Sequence, residues 1–128
     1  MSNLPRVSSG SPYEKRYGFC RAVRTGDRIL VAGTAPIDAS GGCPDDAAGQ
    51  ARLCFEIVER ALAELGATNG HVVRTRMLLV DAADADAVGS VHGEFYGAAP
   101  PVSTMVVIGG LLDPRWRVEV EAEAYVSS

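Results

Sequence analysis

Hydrophobic and polar positions along the chain follow two periods. In "RWRVEVEAEAYV" they alternate strictly: Arg117, Glu119, Glu121, Glu123 and Tyr125 share one side, and Trp116, Val118, Val120, Ala122, Ala124 and Val126 the other. The same alternation predicts strands in "FCRAV", residues 19–23, and "RILVAGT", residues 28–34, with Gly26-Asp27 as the hairpin turn between them. "HVVRTRMLLVDA", residues 71–82, starts alternating and ends as a continuous apolar run, the pattern of a central strand. "VSTMVVIGG" supplies another strand, joined to the last through "LLDP". The helical period appears twice. Ala51, Phe55, Val58, Leu62 and Leu65 form one apolar stripe behind Asp45 and Asp46, with Arg52, Glu56, Glu59, Arg60 and Glu64 over much of the rest, and Gly66 ends that helix. A second helix, capped by Asp84, carries Val88, Val91 and Phe95; Gly97 closes it and Pro100-Pro101 stop it. "APIDASGGCPDD" reads as a loop.

The resulting order, β-β-α-β-α-β-β, predicts a single α/β domain over residues 1–128. Helices between strands require crossovers, so part of the sheet is parallel and the sheet is mixed, with both helices on one face. Two helices cover only one face of such a sheet, which leaves the other to solvent or to another chain. That face receives the acidic row, Arg117, the like-parity pair Arg74 and Arg76, and Arg21 from the first hairpin. Neighbouring carboxylates in the row stand ~7 Å apart. Each such pair repels by about 0.6 kcal/mol in water and about 2.4 kcal/mol at an effective dielectric of 20. A row half out of water therefore needs cations opposite it.

Charge sharpens this picture. The formal net charge is −4, and basic residues are arginines except for Lys15. Arginine favours bidentate pairing with carboxylates, which fits paired ions within the chain or at an interface. The acidic balance argues against nucleic acid as a partner. Cys20, Cys43 and Cys54 are odd in number and match no zinc spacing, so they read as free thiols in a reducing compartment. No window is long and apolar enough for a membrane span, and "MSNLPRVSSGSPYEKR" lacks the apolar core of a signal peptide; a soluble, cytoplasmic protein is expected. No phosphate-binding glycine motif, zinc-protease motif or nucleophile elbow occurs, and no cofactor or metal is expected. His71 and His92 lie apart, without an acid or nucleophile beside them, and read as structural or surface residues.

Taken in order, "FCRAVRTGDRILVAGTAPID", "AAGQARLCFEIVERALAELGA", "HVVRTRMLLVDAADADAV" and "STMVVIGGLLDPRWRVEVEAEA" resemble the Rid family, the reactive intermediate deaminases, also called YjgF-like or L-PSP endoribonucleases. The resemblance covers residues 17–126. It implies a chorismate-mutase-like α/β fold and a homotrimer whose sheets pack together with helices outside. It also implies small-molecule ligand clefts between subunits. Characterised deaminases of the family hydrolyse 2-imino acids to 2-keto acids and ammonia, which needs a cation for the substrate carboxylate and an acceptor that orients water. The resemblance puts the family's strand glutamate at Glu121, as the catalytic candidate, and its cleft glycine at Gly33. Other positions depart from the pattern. Val102 stands where the family has arginine, Phe19 where it has tyrosine, Ala32 for serine, Gly89 for asparagine and Thr104 for cysteine. Valine cannot bind a carboxylate, so Arg21 and Arg74 are candidate substitute cations.

Three functions follow from the resemblance. One is a hydrolase for an imine or enamine without the usual carboxylate anchor, in which Glu121 orients water and Gly33 and Thr104 offer hydrogen bonds. Another is a trimer that binds a small metabolite without turnover, its cleft made more apolar by Phe19, Val102 and Trp116. The third is the endoribonuclease of the family's older label, which the single lysine and acidic balance disfavour.

Overall fold

A computed structural model describes residues 3–127. Six strands form one sheet in the order β1-β2-β3-β6-β4-β5. They are β1 (Arg6–Val7), β2 (Ala22–Thr25), β3 (Arg28–Thr34), β4 (Val72–Leu79), β5 (Val102–Val107) and β6 (Val118–Tyr125). The parallel contact is β4 with β5, across the crossover helix α3 (Ala85–Tyr96); β6 runs antiparallel to both β3 and β4 and separates them. The mixed α/β sheet thus agrees with the sequence. Two short N-terminal elements add to it: β1, and the helix α1 (Pro12–Tyr17).

The alternation in β6 becomes a two-sided strand. Val118, Val120, Ala122 and Ala124 are buried, while Glu119, Glu121, Glu123 and Tyr125 keep contact with solvent. The long helix α2 (Ala47–Glu64) packs on β6 and β3 and carries α3 against it. Ala51, Phe55, Val58, Leu62 and Leu65 are all buried, as their spacing predicts. Asp46 and Asp84 occupy the N-cap positions of α2 and α3, but neither makes a side-chain capping bond. At the other end of α2, Gly66 adopts φ +87, and Arg24 Nη1 donates to the Leu65 carbonyl at 2.7 Å. Among the described residues, no helix is long and apolar enough to cross a membrane.

Three local features prepare the site. The first is a bulge in β3: Val31 pairs with Ala122 and Thr34 with Val120, so Ala32 and Gly33 together face one residue of β6. The second is Gln50, buried in α2, which donates to the Pro44 and Arg115 carbonyls and accepts from the Arg117 amide, fixing the entry into β6. The third is α1. Ser11 caps its N-terminus, Pro12 occupies the first turn, and Gly18 ends it in the left-handed region at φ +76. This helix occupies part of the segment ahead of the predicted strand at 19–23, whose ladder begins only at Ala22.

Candidate active site

On the face away from α2 and α3, the sheet register decides the fate of each carboxylate in the row. Glu123 stands opposite Arg74 and Glu121 opposite Arg76, whereas Glu119 stands opposite Leu78. Accordingly, Arg76 Nη1 lies 3.4 Å from Glu121, and Arg74 Nε lies 3.8 Å from Glu123, which also receives Arg28 Nη2 at 2.7 Å. Arg117, expected in this row, instead precedes β6 and pairs with Asp84 at 3.0 Å. Among the described residues, Glu119 has no ion pair or side-chain hydrogen bond. Burial raises its pKa; Arg21's charge offsets part of this and Glu121's charge adds to it.

Glu119 lines a cleft of about 620 Å³, a size suited to a small molecule. On its β3 side it meets the bulge. A Cβ on Gly33 would come within 2.7 Å of Glu119 Oε1, so any larger residue here would push the carboxylate aside. Tyr13, Tyr17, Phe19 and Trp116 contribute aromatic walls. Tyr13 stacks on Tyr17 with ring centroids 5.8 Å apart and meets Trp116 edge-on at 6.0 Å.

Arg21 also borders the cleft, although only 4% of it is exposed. Its Nε lies 3.3 Å from both Glu14 Oε2 and Ser9 Oγ, and its Nη1 donates to the Gly33 carbonyl and to Thr34 Oγ1. The guanidinium sits over the Phe19 ring, 5.6 Å from its centroid. Burial pushes the Glu14 carboxyl's pKa up, but hydrogen bonds from Ser9 and Ser8 and the charge of Arg21 outweigh this and leave it lowered. Arg21 thereby fastens α1 and the N-terminal segment to the β3 bulge.

The structure divides the sequence-based site residues into two groups. Phe19, Arg21, Gly33 and Trp116 come together in the cleft. Glu121 does not join them: it borders a smaller concavity with Arg74 and Arg76, and Glu119 takes the place beside Gly33. Strand parity made the two glutamates equivalent in the sequence, and the ending of the arginine alternation of β4 at Leu78 was the available signal. Arg74, a candidate substitute cation, is committed to Glu123 and lies outside the cleft. Arg21 was placed on the open charged face, but it is buried against Glu14 because α1, absent from the predicted elements, covers it. Val102 and Thr104 lie on the edge strand β5, in register with Arg74 and Arg76, and Gly89 faces Met105 of that strand. Two strands, β6 and β4, separate this group from β3 and the cleft.

The histidines have local partners. His92 Nε2 is 2.7 Å from Thr75 Oγ1, and His71 closes a capping box with Thr68. Neither borders the cleft. Burial raises the Cys54 and Cys43 thiol pKa values, which reduces their nucleophilic form.

Comparison with known proteins gives this geometry a family. The model of the family described as Endoribonuclease L-PSP matches residues 11–126. An uncharacterised protein of Streptomyces coelicolor is 43% identical over 122 residues, covering 94% of this chain and 90% of that protein. A RutC family protein of Pyrococcus abyssi is 31% identical over 110 residues, covering 84% and 85%. A crystal structure of a YjgF/YER057c/UK114 family member from Mycobacterium tuberculosis superposes with a TM-score of 0.89 at 42% identity, covering 97% of this chain and 100% of that one. The fold is also that of Escherichia coli TdcF, crystallised with bound serine, at a TM-score of 0.84 and 21% identity, covering 99% and 100%. With the match of nearly its whole length, the six-stranded mixed sheet and these relatives, the chain belongs to the endoribonuclease L-PSP family, the family of the YjgF, Rid and RutC proteins.

Proposed function

We propose that the protein is a homotrimeric hydrolase of imines or enamines that lack a carboxylate anchor, with Glu119 orienting the attacking water. The observation that carries this reading is the unpaired Glu119 carboxylate beside Gly33, in a row whose other two members have arginine partners. A carboxylate with raised proton affinity suits a general base working near neutral pH. It accepts a hydrogen bond from water and directs the oxygen lone pair to the imine carbon. As the C–O bond forms, Glu119 takes a water proton and passes it to the nitrogen. The carbinolamine then collapses: Glu119 takes its hydroxyl proton and delivers it to the nitrogen, the C–N bond breaks as the C=O bond forms, and ammonia leaves with a carbonyl product remaining.

Association with further copies, three by the family resemblance, is supported by the separation of the two groups of site residues. Three strand spacings, ~14 Å, lie between β3 and β5. A second copy is needed to bring a β5 edge against the cleft. That edge is unpaired, and Val102, Val106 and Val107 are exposed along it. Val102 adds no charge to such a site, and Arg21 is already bonded to Glu14, so a substrate carboxylate finds weak support. A second reading, ligand binding without turnover, is favoured by Ala32 and Gly89, which stand where the family's deaminases carry serine and asparagine.

Light scattering and an ammonia-release assay on the purified protein test the proposal. The expected result is a trimer that releases ammonia from an imine that carries no carboxylate. Turnover of 2-iminobutanoate should fall roughly 30- to several-thousand-fold below that of an arginine-bearing relative, and Val102→Arg alone should restore little. Glu119→Gln should lower the remaining activity by about 10²-fold or more without dissociating the trimer. A monomer, or full turnover of 2-iminobutanoate, would overturn it. Trimers with no turnover of any imine would favour the binding reading.

A further inference from the structure

The cleft has a charge arrangement that its catalytic reading does not use. Two arginines border it, Arg21 and Arg60, against Glu119 and Asp38, with Glu14 directly behind Arg21. Asp38 is occupied within its own loop, where it accepts hydrogen bonds from the Ser40 hydroxyl and the Ser40 and Gly42 amides. Arg21 is neutralised by Glu14, with its Nε and Nη1 committed to protein acceptors. Glu119 is left as the one cleft carboxylate without a donor among the described residues, and burial disfavours its charge until one arrives. Around it stand aromatic and aliphatic side chains large enough to bury a ring.

We infer that the cleft selects a protonated amine or iminium carried on an aryl-sized apolar group, and discriminates against carboxylates. This rests on the cleft being the ligand site proposed above and narrows its substrate class. The ammonium or iminium N–H donates to Glu119, the interaction that the sheet register denies it at Leu78. The ring packs among Tyr13, Phe19 and Trp116 and loses its contact with water. A carboxylate in the same place meets Glu119 at close range. Of the two bordering arginines, Arg21 is already paired with Glu14, and Arg60 is exposed on α2, where solvent and salt screen its charge. Like charge facing like charge in a half-buried cleft is a specificity device against anions.

Titration calorimetry with three ligands of one shape and different charge tests this: tryptamine, 3-methylindole and indole-3-acetate. Tryptamine should bind about tenfold or more tighter than 3-methylindole, and indole-3-acetate weakest of the three. Glu119→Gln, which keeps the side chain's size, should bring tryptamine to within about twofold of 3-methylindole. Equal or tighter binding of indole-3-acetate would overturn the inference and assign the anchor to an arginine, Arg60 or the remaining Nη2 of Arg21. So would absence of tryptamine binding, or a tryptamine preference that survives Glu119→Gln. The assay is independent of turnover: a charge preference with no ammonia release removes the hydrolase reading alone, while ammonia release with no preference removes this inference alone.

Discussion

Arginine and glutamate meet in two ways within one sheet. Along β4 and β6 the pairs of Arg74 and Arg76 with Glu123 and Glu121 are half-exposed, spaced by the strand register. At the other end of the same face, Arg21 and Glu14 are withdrawn together to about 5% exposure, and Glu119 is left single. The first region is a charge ladder in high dielectric, where pairs contribute little and salt screens them. The second binds two charges so tightly to one another and to the backbone that removing either strands its partner. The function proposed for Glu119 depends on that second arrangement, because a free arginine beside it would close the gap that a ligand fills.

The sharpest break of the contrast is Arg21→Ala. It leaves the Glu14 carboxylate buried, with Oε1 already unpartnered, and releases the Gly33 carbonyl and the N-terminal segment. Urea denaturation should show a loss of about 3–5 kcal/mol, or failure to fold. A loss under about 1 kcal/mol would place this pair with the exposed ones. Gly33→Ala tests the geometry instead of the charge. Its Cβ would need the 2.7 Å space that Glu119 Oε1 occupies, so the carboxylate must swing away. Displacement of about 1 Å costs on the order of 10²-fold in activity, and ammonia release from a carboxylate-free imine should fall by that amount while the fold persists.

Glu119 and Glu14 should also answer pH with opposite signs. The folded-state pKa of Glu14 lies below its ordinary value of 4.5, so its contribution to stability is present above that value and is lost as pH falls through the folded pKa. The folded-state pKa of Glu119 lies above 4.5, so the folded state holds the proton longer than the unfolded one, and the protein loses stability as pH rises from about 4.5 through the folded value. Glu119→Gln removes that loss. The variant's advantage over the unmodified protein in urea melts should therefore grow through this window and level off above it. Stability gained where activity is lost is the usual trade at a functional carboxylate. A flat difference across the window would mean that Glu119 is solvated like its neighbours.

Much of the ladder could be read from the sequence, and little of the cleft. The alternation in β6 and the like parity of Arg74 and Arg76 depend on a period of two, which survives without tertiary information. So does the stripe of α2, from Ala51 to Leu65, because it reflects the helical period alone. Placing Glu119 in the cleft and Glu121 in the ladder required the register between β4 and β6 and the bulge at Ala32-Gly33, neither of which local pattern determines. Helix α1 left a trace in Ser11, Pro12 and Gly18, but six residues are too few for an apolar period to show. Without that helix, Arg21 has no Glu14, and the sequence places it on the wrong side of the contrast.

The smallest expected effect lies in the ladder. Arg28 is 56% exposed at its side chain, and its partner Glu123 is within 3.8 Å of Arg74 as well. Arg28→Ala thus leaves a carboxylate that still has a cation and access to water, and it should cost under about 1 kcal/mol, less at high salt. The redundancy makes its own forecast. Because Arg28 and Arg74 share Glu123, the loss on removing both should exceed the sum of the single losses by about 0.5 kcal/mol or more, whereas residues with separate partners would add. Urea melts of the two single variants and the double variant measure that excess directly. Strict additivity would show that at least one of the two contacts contributes nothing in solution, reducing the ladder at Glu123 to a single pair.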